Sequence, residues 1–212
     1  DKFLCSRVFG GNNKADMRIM PKWHLQAGSI ENLYSGGNEG DMTSDKGLLL
    51  EIGSSTVAPN INIYNVYGGC RKADVRPETA NGSPAGHVRN LSGYNFPPEL
   101  AARTLVRGGK IHNVYGGNDV RGKVYFGNAI GIYTSITGNV YGGGNGSYPY
   151  TDNAALADDP VYGDFYYNPT TELTAAGIDA SSIDSKLKSV VALNLVRPNA
   201  EQVSIRIAGE DS

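Results

Sequence analysis

Apolar and polar positions alternate in short runs rather than at helical spacing along most of the chain, and each run ends in glycine or asparagine. Ile111-His112-Asn113-Val114-Tyr115 precedes Gly116-Gly117-Asn118, and close relatives of it recur. Their aromatic anchors are Phe9, Tyr34, Tyr67, Tyr115 and Tyr141, spaced 25, 33, 48 and 26 residues apart. A regular internal repeat outranks other sequence signals in fixing architecture. The 48-residue interval is close to two periods, and Gly86-His87-Val88-Arg89-Asn90-Leu91-Ser92 matches the motif at its Gly, β-branched, Asn and Leu positions. With Ser92 as a degenerate anchor, six copies run from Phe9 to Tyr141.

A second β-rich run follows each motif, as in Met17-Arg18-Ile19-Met20, Leu48-Leu49-Leu50-Glu51-Ile52 and Val124-Tyr125-Phe126. Extended runs punctuated by turn residues, returning about every 25 residues, predict an all-β fold. The expectation is a single-stranded right-handed parallel β-helix, a β-solenoid of about six coils over residues 1–146. Its handedness is taken from the general right-handed crossover preference. Ile111 and Val114 lie three apart, which strict alternation would put on opposite faces, so a bend at Asn113 is expected to turn both inward. Asn32, Asn65, Asn90, Asn113 and Asn139 would then stack in a ladder.

Residues 147–212 depart from the motif and are expected to cap the same domain. Ile183, Leu187, Val190 and Val191 fall at helical spacing, predicting a short helix over 181–191 with Ser181 or Ser182 as N-cap. Val203-Ser204-Ile205-Arg206-Ile207 alternates as a half-buried strand.

Composition narrows the function classes. The 212 residues include 28 Gly and 13 Tyr, with Gly well above the ~7% average and no collagen period. A net charge of −2 gives no overall pull toward nucleic acid or an anionic surface. No apolar run is long enough for a membrane span. Cys5 and Cys70 stand several motif copies apart and are expected to remain unbridged, with Cys5 a small core side chain. Asp1 lies eight residues before the first anchor, which reads as an excised or processed segment. The glycines of Gly142-Gly143-Gly144 lack the strand–turn–helix context of a phosphate cradle.

Two constellations carry candidate chemistry. Asp16, Asp41 and Asp74 each lie seven residues after an anchor, with Arg18 and Arg76 two residues beyond the first and third. Stacked carboxylates repel unless cations intervene or one is protonated. The first reading is an exposed ion-pair ladder, with Lys14, Glu39 and Lys72 alternating in sign beside it. Calcium held by Asp16, Asp41 and Asp74 is the second, and acid/base catalysis on an acidic polysaccharide, with Arg18 and Arg76 assisting, is the third. The other constellation is Tyr148, Tyr150, Tyr162, Tyr166 and Tyr167, aromatic faces beside carboxylates that could stack on a sugar or close the end of the domain. Trp23 and His24 offer a lesser platform of the same kind.

The repeated Ile-x-Asn-Val-Tyr-Gly-Gly-(Gly)-Asn pattern, over about residues 5–146, resembles the Gly/Asn/Tyr-rich repeats of adhesin-like β-helix proteins secreted or displayed by anaerobic gut bacteria. The resemblance implies an extracellular or cell-surface module, a stalk or adhesin with a host or dietary glycan or a surface protein as partner. A β-helix polysaccharide lyase or glycoside hydrolase is the competing class. Ser92, Cys70 and the long tail depart from the pattern.

Overall fold

The computed structural model describes residues 4–18, 22–43, 47–54, 60–76 and 102–208. In chain order the strands are β1 (Cys5–Phe9), β2 (Lys22–Leu25), β3 (Gly28–Tyr34), β4 (Met42–Thr43), β5 (Leu48–Ile52), β6 (Ile61–Tyr67) and β7 (Val75–Arg76). They continue as β8 (Ala102–Val106), β9 (Lys110–Tyr115), β10 (Lys123–Val124), β11 (Asn128–Ile132), β12 (Val140–Tyr141), β13 (Asn199–Ala200) and β14 (Val203–Ile207). Two α-helices, α1 (Pro169–Ala175) and α2 (Lys188–Val196), stand between β12 and β13.

Among the described residues all strand pairs are parallel, and they form three sheets. The first is ordered β1-β3-β6-β9-β12, the second β13-β10-β7-β4, the third β14-β11-β8-β5-β2. The expected all-β, single-stranded β-helix is therefore corrected. Five, four and five strands are divided among three parallel sheets, and the chain also holds two α-helices, an α/β-like arrangement that is not all-β. The β-solenoid reading missed two things. The Leu48–Ile52 run and its partners β8 and β11 are buried along almost every residue, as strands of a two-sided parallel sheet are. Residues 146–197 form a compact unit of their own, distinct from 1–145 with 198–212.

The register explains why the motif recurs. Ile30 pairs with Ile63 and Ile63 with Ile111; Leu33, Val66 and Val114 align beside them. All six are buried although each pair is three residues apart, so alternation breaks at the intervening Asn. There Asn65 Nδ2 donates to Asn32 Oδ1 at 2.9 Å, Asn113 Nδ2 to Asn65 Oδ1 at 3.0 Å, and Asn139 N to Asn113 Oδ1 at 3.1 Å. These apolar columns pack on Leu50, Ile52, Val106, Ile130 and Ile132 of the third sheet in one core. Each such side chain contributes about 1.5–3 kcal/mol through burial. The anchors form a continuous column of rings. Phe9, Tyr34, Tyr67, Tyr115 and Tyr141 stack at centroid distances of 4.6, 4.8, 4.9 and 4.9 Å.

The sixth copy at 86–93 lies outside the described residues. β6 pairs directly with β9, setting Tyr67 beside Tyr115 with no strand between them. Cys5 keeps the register of Ile30 but is exposed, because β1 is an edge strand. Cys5 and Cys70 are both free thiols.

In the 146–197 unit the expected helix over 181–191 is displaced. Asp179 caps a 3-10 turn at Ala180–Ser182, and Asp184 accepts the Lys186 and Leu187 amides, so α2 starts only at Lys188. Leu187 and Val190 face solvent, while Ala192 and Val196 pack with Tyr167 and Leu173. The unforeseen α1 begins with Pro169 after Asn168, whose side chain accepts the amides of Thr170 and Thr171 at 3.0 and 3.2 Å. β14 spans the expected Val203–Ile207, but as the outer strand of its sheet it leaves Val203, Ile205 and Ile207 exposed.

Candidate functional site

The carboxylate column is built by the second sheet. Met17 bridges Met42, Met42 pairs with Val75, and Val75 with Val124, so Asp16, Asp41, Asp74 and Lys123 occupy one position in successive strands. Met42, Val75 and Val124 are buried beneath them. Outward-facing Asp is where the sequence pattern placed it.

Each carboxylate is spent on the backbone of the next strand. Asp16 Oδ1 accepts the Asp41 amide at 3.0 Å, Asp41 Oδ1 the Asp74 amide at 2.9 Å, and Asp74 Oδ1 the Lys123 amide at 2.7 Å. The second oxygens of Asp41 and Asp74 meet a cation, with Arg76 paired to Asp74 and its Nε 3.7 Å from Asp41 Oδ2. Glu39 bridges the neighbouring column, 3.9 Å from Lys14 and 2.9 Å from Lys72. Arg76 and Lys123 also lie over the Tyr125 ring at 4.7 and 4.6 Å. Arg18 is exposed and forms no ion pair among the described residues.

Partial burial pushes the Asp41 carboxyl above its ordinary value of 3.8, with the charges of Asp74 and Asp16 adding to the shift while the Asp74 amide and Arg76 oppose it. A raised carboxyl suits a general acid, yet here one oxygen already holds an amide. Among the described residues no group of three or more His, Cys, Asp or Glu side chains is arranged to hold a metal ion.

A carboxyl whose folded-state pKa lies above 3.8 binds its proton more tightly when folded, so the ionised form costs stability. That cost is absent below 3.8 and sets in as pH rises through the folded-state value. Asparagine keeps the Oδ1 acceptor and has no charge to desolvate. Asp41→Asn is therefore expected to gain Tm relative to the parent as pH rises from below 3.8 to neutral. Paired melting curves across that window check it, and a difference that shrinks as pH rises counts against it.

The five tyrosines of the 146–197 unit do not form one open platform. Tyr148 stacks on Phe165 at 4.7 Å, and Tyr150 meets both edge-on at 6.4 and 6.3 Å. Tyr167 is 5% exposed and donates its hydroxyl to the Ser189 carbonyl at 3.2 Å. Tyr166 is half-buried in a bridge with Thr151, which leaves Tyr162 with the most open ring of the five. Arg197 sits over Tyr150 at 5.7 Å. Packing of rings against rings accounts for Tyr148 and Tyr150, and the adhesin-like, surface and carbohydrate-binding description gains no support from the cluster.

Two polar arrangements escaped the sequence reading. Asp119, only 2% exposed, accepts the Tyr34 hydroxyl at 2.8 Å and the Asn145 amide at 3.0 Å. On the outer face of the first sheet Tyr64 stacks on His112 at 4.6 Å, and His112 Nδ1 lies 3.2 Å from Thr137 Oγ1. The position preceding the motif Asn would have revealed the second, since it carries Glu31, Tyr64 and His112 in turn. Among the described residues no helix is long and apolar enough to cross a membrane. The chain matches no family model, no curated protein and no solved structure.

Proposed function

We propose that this chain is a non-enzymatic structural module, a stalk-type scaffold whose recurring polar side chains hold strands in register. The observation that carries the reading is the carboxylate column. Asp16, Asp41 and Asp74 each accept a backbone amide from the next strand, so the residues best suited to acid/base work serve the sheet instead. The Asn ladder and the ring column act in the same sense: they repeat with the strands and join neighbouring ones.

The competing reading, hydrolysis or elimination on an acidic polysaccharide, draws on the raised Asp41 carboxyl and the nearby Arg76. Incubating the protein with a panel of uronic-acid polysaccharides, and following both reducing ends and unsaturated products, separates the two. The structural reading predicts no product from parent or Asp41→Asn. Product formation that disappears in Asp41→Asn, with the fold retained, would overturn it.

A further inference from the structure

Among the described residues the three parallel sheets end in β1, β2 and the Met17 bridge to β4 on one side and in β12, β13 and β14 on the other, and no further strand pairs with these ends. Open edges of this kind template the addition of further strands. On the β14 side the apolar columns of the core run out into solvent, with Ile205 44% and Ile207 72% exposed and Tyr141, the last ring of its column, 44% exposed. Beside them lies a cleft of about 400 Å³ lined by Ile132, Ser135, Ile136, Val140 and Ile207. On the opposite side Leu4 is 89% exposed.

The two sides are complementary because every strand runs in the same direction. Another layer added in that direction would set Phe9 on Tyr141, continuing rings spaced 4.6–4.9 Å apart. Register likewise carries Trp23 to Ile205 through Leu50, Thr104 and Ile130, and Leu25 to Ile207 through Ile52, Val106 and Ile132. Leu4 occupies the column of Ser29, Asn62, Lys110 and Ser135, which brings it to the cleft wall. Charge agrees: the column that begins with exposed Arg18 ends at exposed Glu201.

We infer that the β12–β14 edge binds the β1–β2 edge of a second copy of this chain, head to tail. An exposed apolar side chain matched to a cleft elsewhere on the same surface makes a heterologous contact that leaves both outer ends free, so association does not stop at a dimer. This inference is independent of the structural role above. Catalytic turnover would leave it standing, and a monomer would leave the structural role standing.

Sedimentation velocity over a wide concentration range tests it, with Leu4→Lys and Ile207→Lys as variants at opposite ends. Both positions are largely exposed, and circular dichroism and melting curves verify that each variant folds. The parent is expected to rise in mass with concentration, without a plateau at the dimer, and each variant alone to stay monomeric. Mixing the two variants restores dimers and nothing larger, since each keeps one intact edge. A monomeric parent, a parent that stops at a dimer, variants that associate as the parent does, or a mixture that stays monomeric would each overturn the inference.

Discussion

Tyr67→Ala lowers the stability of the sheet unit by about 3–5 kcal/mol, the range for removing a large buried aromatic side chain. Tyr67 is 2% exposed, and its ring lies between Tyr34 at 4.8 Å and Tyr115 at 4.9 Å, within 11° of parallel to both. Each well-formed ring pair adds about 0.5–1.5 kcal/mol beyond burial. The gap cannot close by collapse, because β3, β6 and β9 are held at fixed separation by their backbone bonds and by the Asn ladder. Tyr141→Ala provides the comparison: the ring is 44% exposed at an edge strand, with Tyr115 as its stacking partner, and its loss is expected to cost about 1 kcal/mol. Denaturant unfolding of the two variants measures the contrast. Equal losses would mean that the column is not a packed element.

Gly122→Ala is expected to cost about 3–5 kcal/mol, combining left-handed backbone strain, overpacking and a displaced hydrogen bond. Gly122 has φ +96°, and a Cβ there would overlap the Ala73 carbonyl. It would also lie 3.0 Å from Asn118 Nδ2, the donor that bonds that same carbonyl at 2.9 Å. Neither neighbour can withdraw without opening the joint between two strands of the second sheet. Gly143→Ala is the control, since a Cβ there meets nothing within 4 Å, and it should stay within about 0.5 kcal/mol of the parent. Thermal melts of both variants decide whether close strand approach, rather than glycine content as such, governs these turns.

Much of the register was legible in the sequence. A constant offset from the aromatic anchors was enough to align Asp16, Asp41 and Asp74, and another constant offset, two residues before each anchor, brought the Asn positions together. Offsets are readable because a parallel sheet repeats each residue's environment from strand to strand. The division into three sheets was not readable from anchors, which all belong to the first sheet. Runs such as Leu48–Ile52 carry no punctuation that assigns them to a separate sheet. Across the 48-residue interval β6 pairs directly with β9. Residues 86–93 share the Gly, Val, Asn and Leu of the motif but lack the aromatic anchor and the Gly pair, and those are the features that stack.

Helices α1 and α2 were hidden or displaced because local capping decided them. Asn168 starts α1 around a single buried apolar residue, Leu173, too little for a periodic pattern. Asp179 and Asp184 hold the segment before α2 in turns despite its helical spacing of apolar residues. The candidate site was legible only in its membership. Whether a carboxylate faces a substrate, a cation or a neighbouring amide depends on how the next strand presents its N–H, which no residue count reveals.

Amide hydrogen exchange of Asp74→Ala against the parent tests the structural role of the carboxylate column most directly. Asp74 Oδ1 accepts the Lys123 amide at 2.7 Å, whereas the Asp74 amide is held by Asp41 and the Asp41 amide by Asp16. The structural role predicts that the Lys123 amide loses its protection while the amides of Asp41 and Asp74 keep theirs. Unchanged protection at Lys123 would contradict it and free Asp74 for chemistry of another kind.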